Sequence, residues 1–327
     1  MHRSGTSLTA SLFASAGLDL GPELLGANAS NPLGHFEDLG FQDFHSRALI
    51  AQGVGGEGYS SDARGIVPPL LRVLAHDLVE ARATRRKVWG WKDPRTTLFL
   101  DFWAERLPQA RYLFVFRRPW EVADSLFRRG DEVFAVDPTF VFDVWTHYNR
   151  LILDFVRRSP ERCALFAIEQ IIADPAAVLS DVQTRFDLPL ESPVNRYRDS
   201  LFNRDEDEQR AALVQTVAPE AWWTYLELLD AAAAHDDLTA TRAAVRAGAE
   251  AAVVEWAWRS RTKARAPRTT EAPGNAPARH WRGLFTEIAA ASRWLFAGHA
   301  HHGVEDATET ARPQVEARPA GVPARVA

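Results

Sequence analysis

Five apolar, β-prone residues, Tyr112 to Phe116, run directly into Arg117, Arg118 and Pro119. A short run without polar alternation is the pattern of a strand buried on both faces, as in a parallel sheet covered by helices. Pro119 stops the strand and suits the first turn of the helix read in "WEVADSLFRR". The chain must therefore build an α/β fold, and it delivers two arginines to the C-terminal end of a strand. Open α/β sheets bind their ligands at that end. Arginine there is suited to bidentate capture of phosphate or sulfate oxygens, and Ser125 follows about two turns into the helix.

Two further stretches repeat the strand-then-turn pattern. "CALFAIE" reads as a second strand, followed by the loop "QIIADP" and a helix from Pro175. "KVWGW" reads as a third, shorter strand that ends at "KDPR" and sets Lys92 and Arg95 at its C-terminal edge. Taken alone, the same residues read equally as a surface turn. At the N-terminus, "HRSGTS" is a small-residue loop leading into a helix whose apolar positions are Leu8, Leu12, Phe13 and Leu18, with Gly17 placed to end it. Free N–H groups and the helix dipole make such a loop an anion site. By itself it reads equally as a helix-capping turn. It is not the nucleoside-triphosphate P-loop, because GxxxxGK[ST] is missing its lysine and its length.

Composition narrows the classes. The 327 residues carry a net charge of −5, which gives no electrostatic case for nucleic acid as the main partner. The single cysteine, Cys163, excludes a disulfide framework and a cysteine-rich zinc site, and its apolar neighbours place it as a buried thiol on a strand. No apolar run reaches the ~20 residues of a membrane span, and no secretory signal is read at the N-terminus. The default expectation is a cytoplasmic location.

The domain reading is an α/β core over residues 1–205, helices packed on it over 206–258, and a largely disordered tail over 259–327. The Gly/Asn/Pro-rich text between Gly21 and Gly65 implies long loops with short helices that cover a substrate. In the tail, Trp281, Leu284, Phe285, Ile288 and Leu295 outline an amphipathic helix near 281–297, expected to dock on the core rather than lie on a membrane. His299, His301 and His302 fall in the same tail and carry no assignment.

The three anion motifs, in this order and spacing, resemble the sulfotransferases that use 3′-phosphoadenosine-5′-phosphosulfate (PAPS), the bacterial members in particular. The resemblance covers about residues 1–200. It implies a P-loop-NTPase-like parallel sheet flanked by helices. In that family a "PKSGTT" or "PRSGTT" loop cradles the 5′-phosphosulfate, which makes Arg3, Ser4, Gly5, Thr6 and Ser7 the matching residues here. The Arg-x-Pro motif with its following serine binds the 3′-phosphate, matched by Arg117, Pro119 and Ser125. "NPLGHFE" and "FAIEQIIADPAAVLSDVQTRFDLP" also resemble bacterial stretches, and Lys92 of "KDP" is similar to a lysine of the tyrosylprotein branch that faces the transferring sulfuryl group. Two departures stand out. Leu8 replaces the tryptophan on which some members stack adenine. The strand that carries the loop in the family is absent, since Met1 would be its last residue. The expectation is that upstream coding sequence supplies that strand, and that without it the first helix lacks a packing surface.

What the resemblance implies for mechanism is electrostatic. Arg3, Lys92 and the loop N–H groups stabilise the sulfuryl oxygens and the leaving 5′-phosphate. Glu37 is the expected general base, with His35 and Glu23 as rivals, and no metal is required. The acceptor is expected to be a hydroxyl, carbohydrate before lipid, peptide or phenol. The competing readings are a P-loop kinase-like nucleotide-binding protein and a catalytically impaired PAP-binding protein.

Overall fold

The computed structural model describes residues 1–28, 31, 34–84, 88–192 and 207–232. The chain divides into two units, Met1–Arg265 and Ala266–Ala327. Every described residue lies in the first, so the tail, its amphipathic helix and the helix read in "TATRAAVRAGAEAAVVEWAW" lie outside the described residues.

Strand β1 (Tyr112–Phe116) pairs in parallel with β2 (Cys163–Ala167), in register from Tyr112 opposite Cys163 to Phe116 opposite Ala167. All five β2 residues are buried, as an unalternated apolar run requires. Cys163 is a buried free thiol whose pKa burial pushes up to about 12. Among the described residues the sheet has these two strands only. The expected third strand, "KVWGW", is reduced to one parallel bridge between Asp19 and Trp89. The backbone of residue 19 bonds Val88 and Gly90, and no further ladder follows. A ladder needs successive partners, and the chain turns away at Gly21, where φ is +118°. Residues of β1, the segment from Val88 to Asp93 and helix α1 (Thr6–Ser15) line a cavity of about 730 Å³.

Two apolar clusters hold the described fold. The smaller joins Leu12, Phe13 and Ala16 to Val115, Phe166, Ile168 and Val182. Helix α1 therefore has a packing surface on the sheet and on α9 (Pro175–Phe186), contrary to the expectation that it lacks one. The larger lies on the other face and includes the buried tryptophans Trp103, Trp145 and Trp222. These belong to α4 (Leu100–Arg106), α7 (Phe140–Arg158) and α11 (Pro219–Ala232).

Of the helices expected over 206–258, the first two are α10 (Asp207–Val217) and α11. The first packs on α5 (Pro119–Arg129), the second on α7 and β2. Among the described residues between Gly21 and Gly65, one helix stands among loops. Asp38 caps a 12-residue helix, α2 (Leu39–Ile50), by accepting from the N–H groups of Gly40 and Phe41. The same carboxylate takes Arg82 of α3 (Pro69–Ala83), so one side chain starts α2 and ties α3 to it.

Candidate active site

The N-terminal loop is shaped by backbone conformations that few residues adopt. Arg3 has φ +64° and Gly5 has φ +89°, bracketing the buried Ser4. A Cβ on Gly5 would lie 2.3 Å from Cδ1 of Ile168, so only glycine fits both the angle and the space. Gly5 supplies no side-chain cap to α1, and the first turn of that helix holds no acidic residue. The N–H groups of that turn have no acceptor within the helix, and the positive end of the dipole faces the loop.

The side chain of Arg3 leaves this loop for the second motif. Its Nε donates to Ser125 Oγ at 2.8 Å, and Arg117 Nη1 lies 3.5 Å from the Arg3 carbonyl. Arg117 stands at the end of β1, where Trp145 Nε1 donates to its carbonyl at 3.2 Å. Its Nε donates to Glu121 one turn into α5, so the guanidinium is oriented from within its own helix start. Motifs more than a hundred residues apart in sequence thus meet through direct bonds.

The third motif meets the stretch "NPLGHFE". Lys92 Nζ donates to Glu37 Oε1 at 2.6 Å, and both side chains are largely buried. Glu37 is held by an antiparallel bridge between Leu24 and Asp38, with Leu25 N–H donating to the Glu37 carbonyl at 2.7 Å. Burial raises the Glu37 carboxyl above its usual range against the pull of Lys92. Burial likewise lowers the Lys92 ammonium against the pull of Glu37. Both members are pushed toward neutrality, which makes the carboxylate a better proton acceptor than a solvated one.

The same stretch touches the anion loop. Ser7 Oγ donates to the His35 carbonyl at 3.2 Å and accepts from Asn31 Nδ2 at 3.0 Å. Burial lowers the pKa of His35, helped by Lys92, Arg3 and Arg129, so the imidazole is neutral. Its Nε2 is buried without a hydrogen-bond partner among the described residues. Glu23 sits exposed on the adjoining loop.

Arg95, Asp93, His45 and Arg129 fall where the motifs alone did not place them. Arg95, expected at a ligand-facing strand edge, is 2% exposed and turned inward, donating twice to Asp93 and once to the Gly56 carbonyl. Asp93 also accepts from His45 Nδ1 at 3.0 Å, while Trp103 Nε1 donates to His45 Nε2 at 3.0 Å. That pattern fixes a neutral His45, and burial lowers its pKa accordingly. A buried hub therefore holds the turn that carries Lys92. Arg129, at the end of α5, pairs with Asp131 and Tyr59, whose ring meets His2 edge-on at 5.5 Å. The signal for Arg129 lay in the helix period, four residues after Ser125 on the same face.

Against known proteins, the model of the sulfotransferase family matches residues 1–192. The chain belongs to the sulfotransferase family. Neither the curated proteins nor the solved structures yielded a match. The matched span includes the residues of all three motifs. Among the described residues no helix is long and apolar enough to cross a membrane.

Proposed function

We propose that this sulfotransferase moves the sulfuryl group of PAPS to an acceptor hydroxyl, with a carbohydrate as the acceptor class. The observation that carries the reading is the Lys92–Glu37 pair at 2.6 Å, next to a loop already bonded to the second anion motif. The loop from Arg3 to Ser7 takes the 5′-phosphosulfate, and Arg117 with Ser125 takes the 3′-phosphate. Arg3, bonded to Ser125 and sharing its loop with Ser7, bridges the two.

Glu37 accepts the proton of the acceptor hydroxyl. The acceptor oxygen then forms the new O–S bond while the bond from sulfur to the 5′-phosphate oxygen breaks, and PAP leaves with that electron pair. Lys92 and the loop N–H groups stabilise charge on the sulfuryl oxygens as it shifts to the leaving phosphate. The neutral His35, whose Nε2 has no partner among the described residues, offers a hydrogen bond beside the anion loop without competing for the anion.

The test is differential stabilisation followed by transfer. PAP raises the melting temperature, and ATP with Mg²⁺ does not. Labelled PAPS incubated with fractionated carbohydrate, lipid, peptide and phenol acceptors transfers label to the carbohydrate fraction. Stabilisation by ATP instead of PAP overturns the donor, and label in another fraction overturns the acceptor class.

A further inference from the structure

The family match ends at residue 192, yet the arginines at the end of β1 are braced by a residue beyond it. Tyr225 of α11 is 2% exposed, with its ring edge-on to Trp120 at 5.5 Å and to Phe116 at 6.2 Å. Those two rings flank the Arg117–Pro119 turn, so Tyr225 is seated directly behind it. Its hydroxyl accepts a hydrogen bond from the Arg118 guanidinium. Arg118 also pairs with Glu169 at 3.1 Å and with Oε1 of Glu121 at 3.5 Å. The other oxygen of Glu121 takes Arg117 Nε.

We infer that Tyr225 is a positioning residue for the 3′-phosphate clamp, acting on Arg117 through Arg118 and Glu121. The inference rests on the assignment of Arg117 to the 3′-phosphate made above. Glu121 is one carboxylate shared by two arginines. While Arg118 holds one of its oxygens, Arg117 keeps charge to offer a phosphate and a fixed guanidinium plane. Arg118 has a second acidic partner in Glu169, and the Tyr225 hydroxyl keeps it between the two. Without that hydroxyl, Arg118 is drawn to Glu169 and Glu121 neutralises Arg117 more completely. The C-terminal helices thereby tune an anion site built entirely from the matched segment.

Tyr225→Phe removes the oxygen and keeps the ring packing. The measurements are affinities for PAP and for adenosine 5′-phosphosulfate, which lacks the 3′-phosphate, together with the melting temperature. PAP affinity is expected to fall about five- to tenfold, the size of one ordinary hydrogen bond acting at second hand through Arg118 and Glu121. Affinity for adenosine 5′-phosphosulfate stays at its wild-type value, and the melting temperature falls by no more than a few degrees. Unchanged PAP affinity, or equal losses on both ligands, overturns the inference. Arg117→Ala is measured alongside. If it erases the preference for the 3′-phosphate and Tyr225→Phe leaves that preference unchanged, the clamp stands and the role of Tyr225 falls. If Arg117→Ala also keeps the preference, the clamp is misassigned and the role of Tyr225 falls with it.

Discussion

The guanidinium of Arg3 and the hydroxyl of Ser125 are 2.8 Å apart, although one opens the chain and the other lies in the middle of α5. This bond joins the loop assigned to the phosphosulfate with the motif assigned to the 3′-phosphate. The two proposed anion sites are therefore expected to act as one coupled unit. In a double-mutant cycle, Arg3→Ala and Ser125→Ala are expected to be non-additive for PAP binding, with a coupling of about 0.5–3 kcal/mol. Strict additivity, read by calorimetry, would show the bond to be incidental.

Arg117 carries the 3′-phosphate in this scheme. Arg117→Ala should cost PAP binding about 2–5 kcal/mol, because a phosphate then loses a charge-assisted partner in a largely buried setting. Adenosine 5′-phosphosulfate should lose far less. Equal losses for the two ligands in the same titration would sink the assignment.

In the proposed reaction Glu37 accepts the hydroxyl proton, so Glu37→Gln should cut turnover ~10²–10⁴-fold while leaving PAP affinity in place. The wild-type pH profile supplies an independent check. Burial raises the Glu37 carboxyl, so the base gains its proton, and turnover falls, at a pH above the ordinary carboxylate value of 4.5. Activity is thus lost as pH drops through that raised value, and the Gln variant should lack this limb. A limb retained in Glu37→Gln would pass the role to His35.

Asp93 is the anchor of the Lys92 turn, and its test is stability. Burial alone would raise its carboxyl, but the bonds from His45 and the charge of Arg95 outweigh burial and hold it far below the ordinary value of 3.8. A depressed carboxyl stabilises the fold above its unfolded pKa and loses that contribution as pH falls toward the folded one. Asp93→Asn leaves Arg95 buried without its counter-charge and should cost about 3–5 kcal/mol near neutral pH. The gap in melting temperature between wild type and variant should narrow as pH drops below 3.8. A gap independent of pH would show that the charge of Asp93 is not what stabilises the hub.

Local chemistry made part of this protein legible before any tertiary structure. The apolar runs at Tyr112–Phe116 and Cys163–Ala167 became strands, and Pro119 and Pro175 each opened a helix. These outcomes depend on burial periodicity and fixed φ, which neighbouring residues set. The small-residue loop and the strand-end arginines were legible as the residues from which an anion site is proposed. The pairing of those parts was not local. Lys92 with Glu37, Arg3 with Ser125, and Tyr225 with Arg118 join side chains from separate elements, and only packing brings such groups within bonding distance. Packing also reassigned Arg95 from ligand to hub and left "KVWGW" as a single bridge, because a strand exists only where a partner completes its ladder. Charge type was written in the sequence, and which charges face each other was decided by the fold.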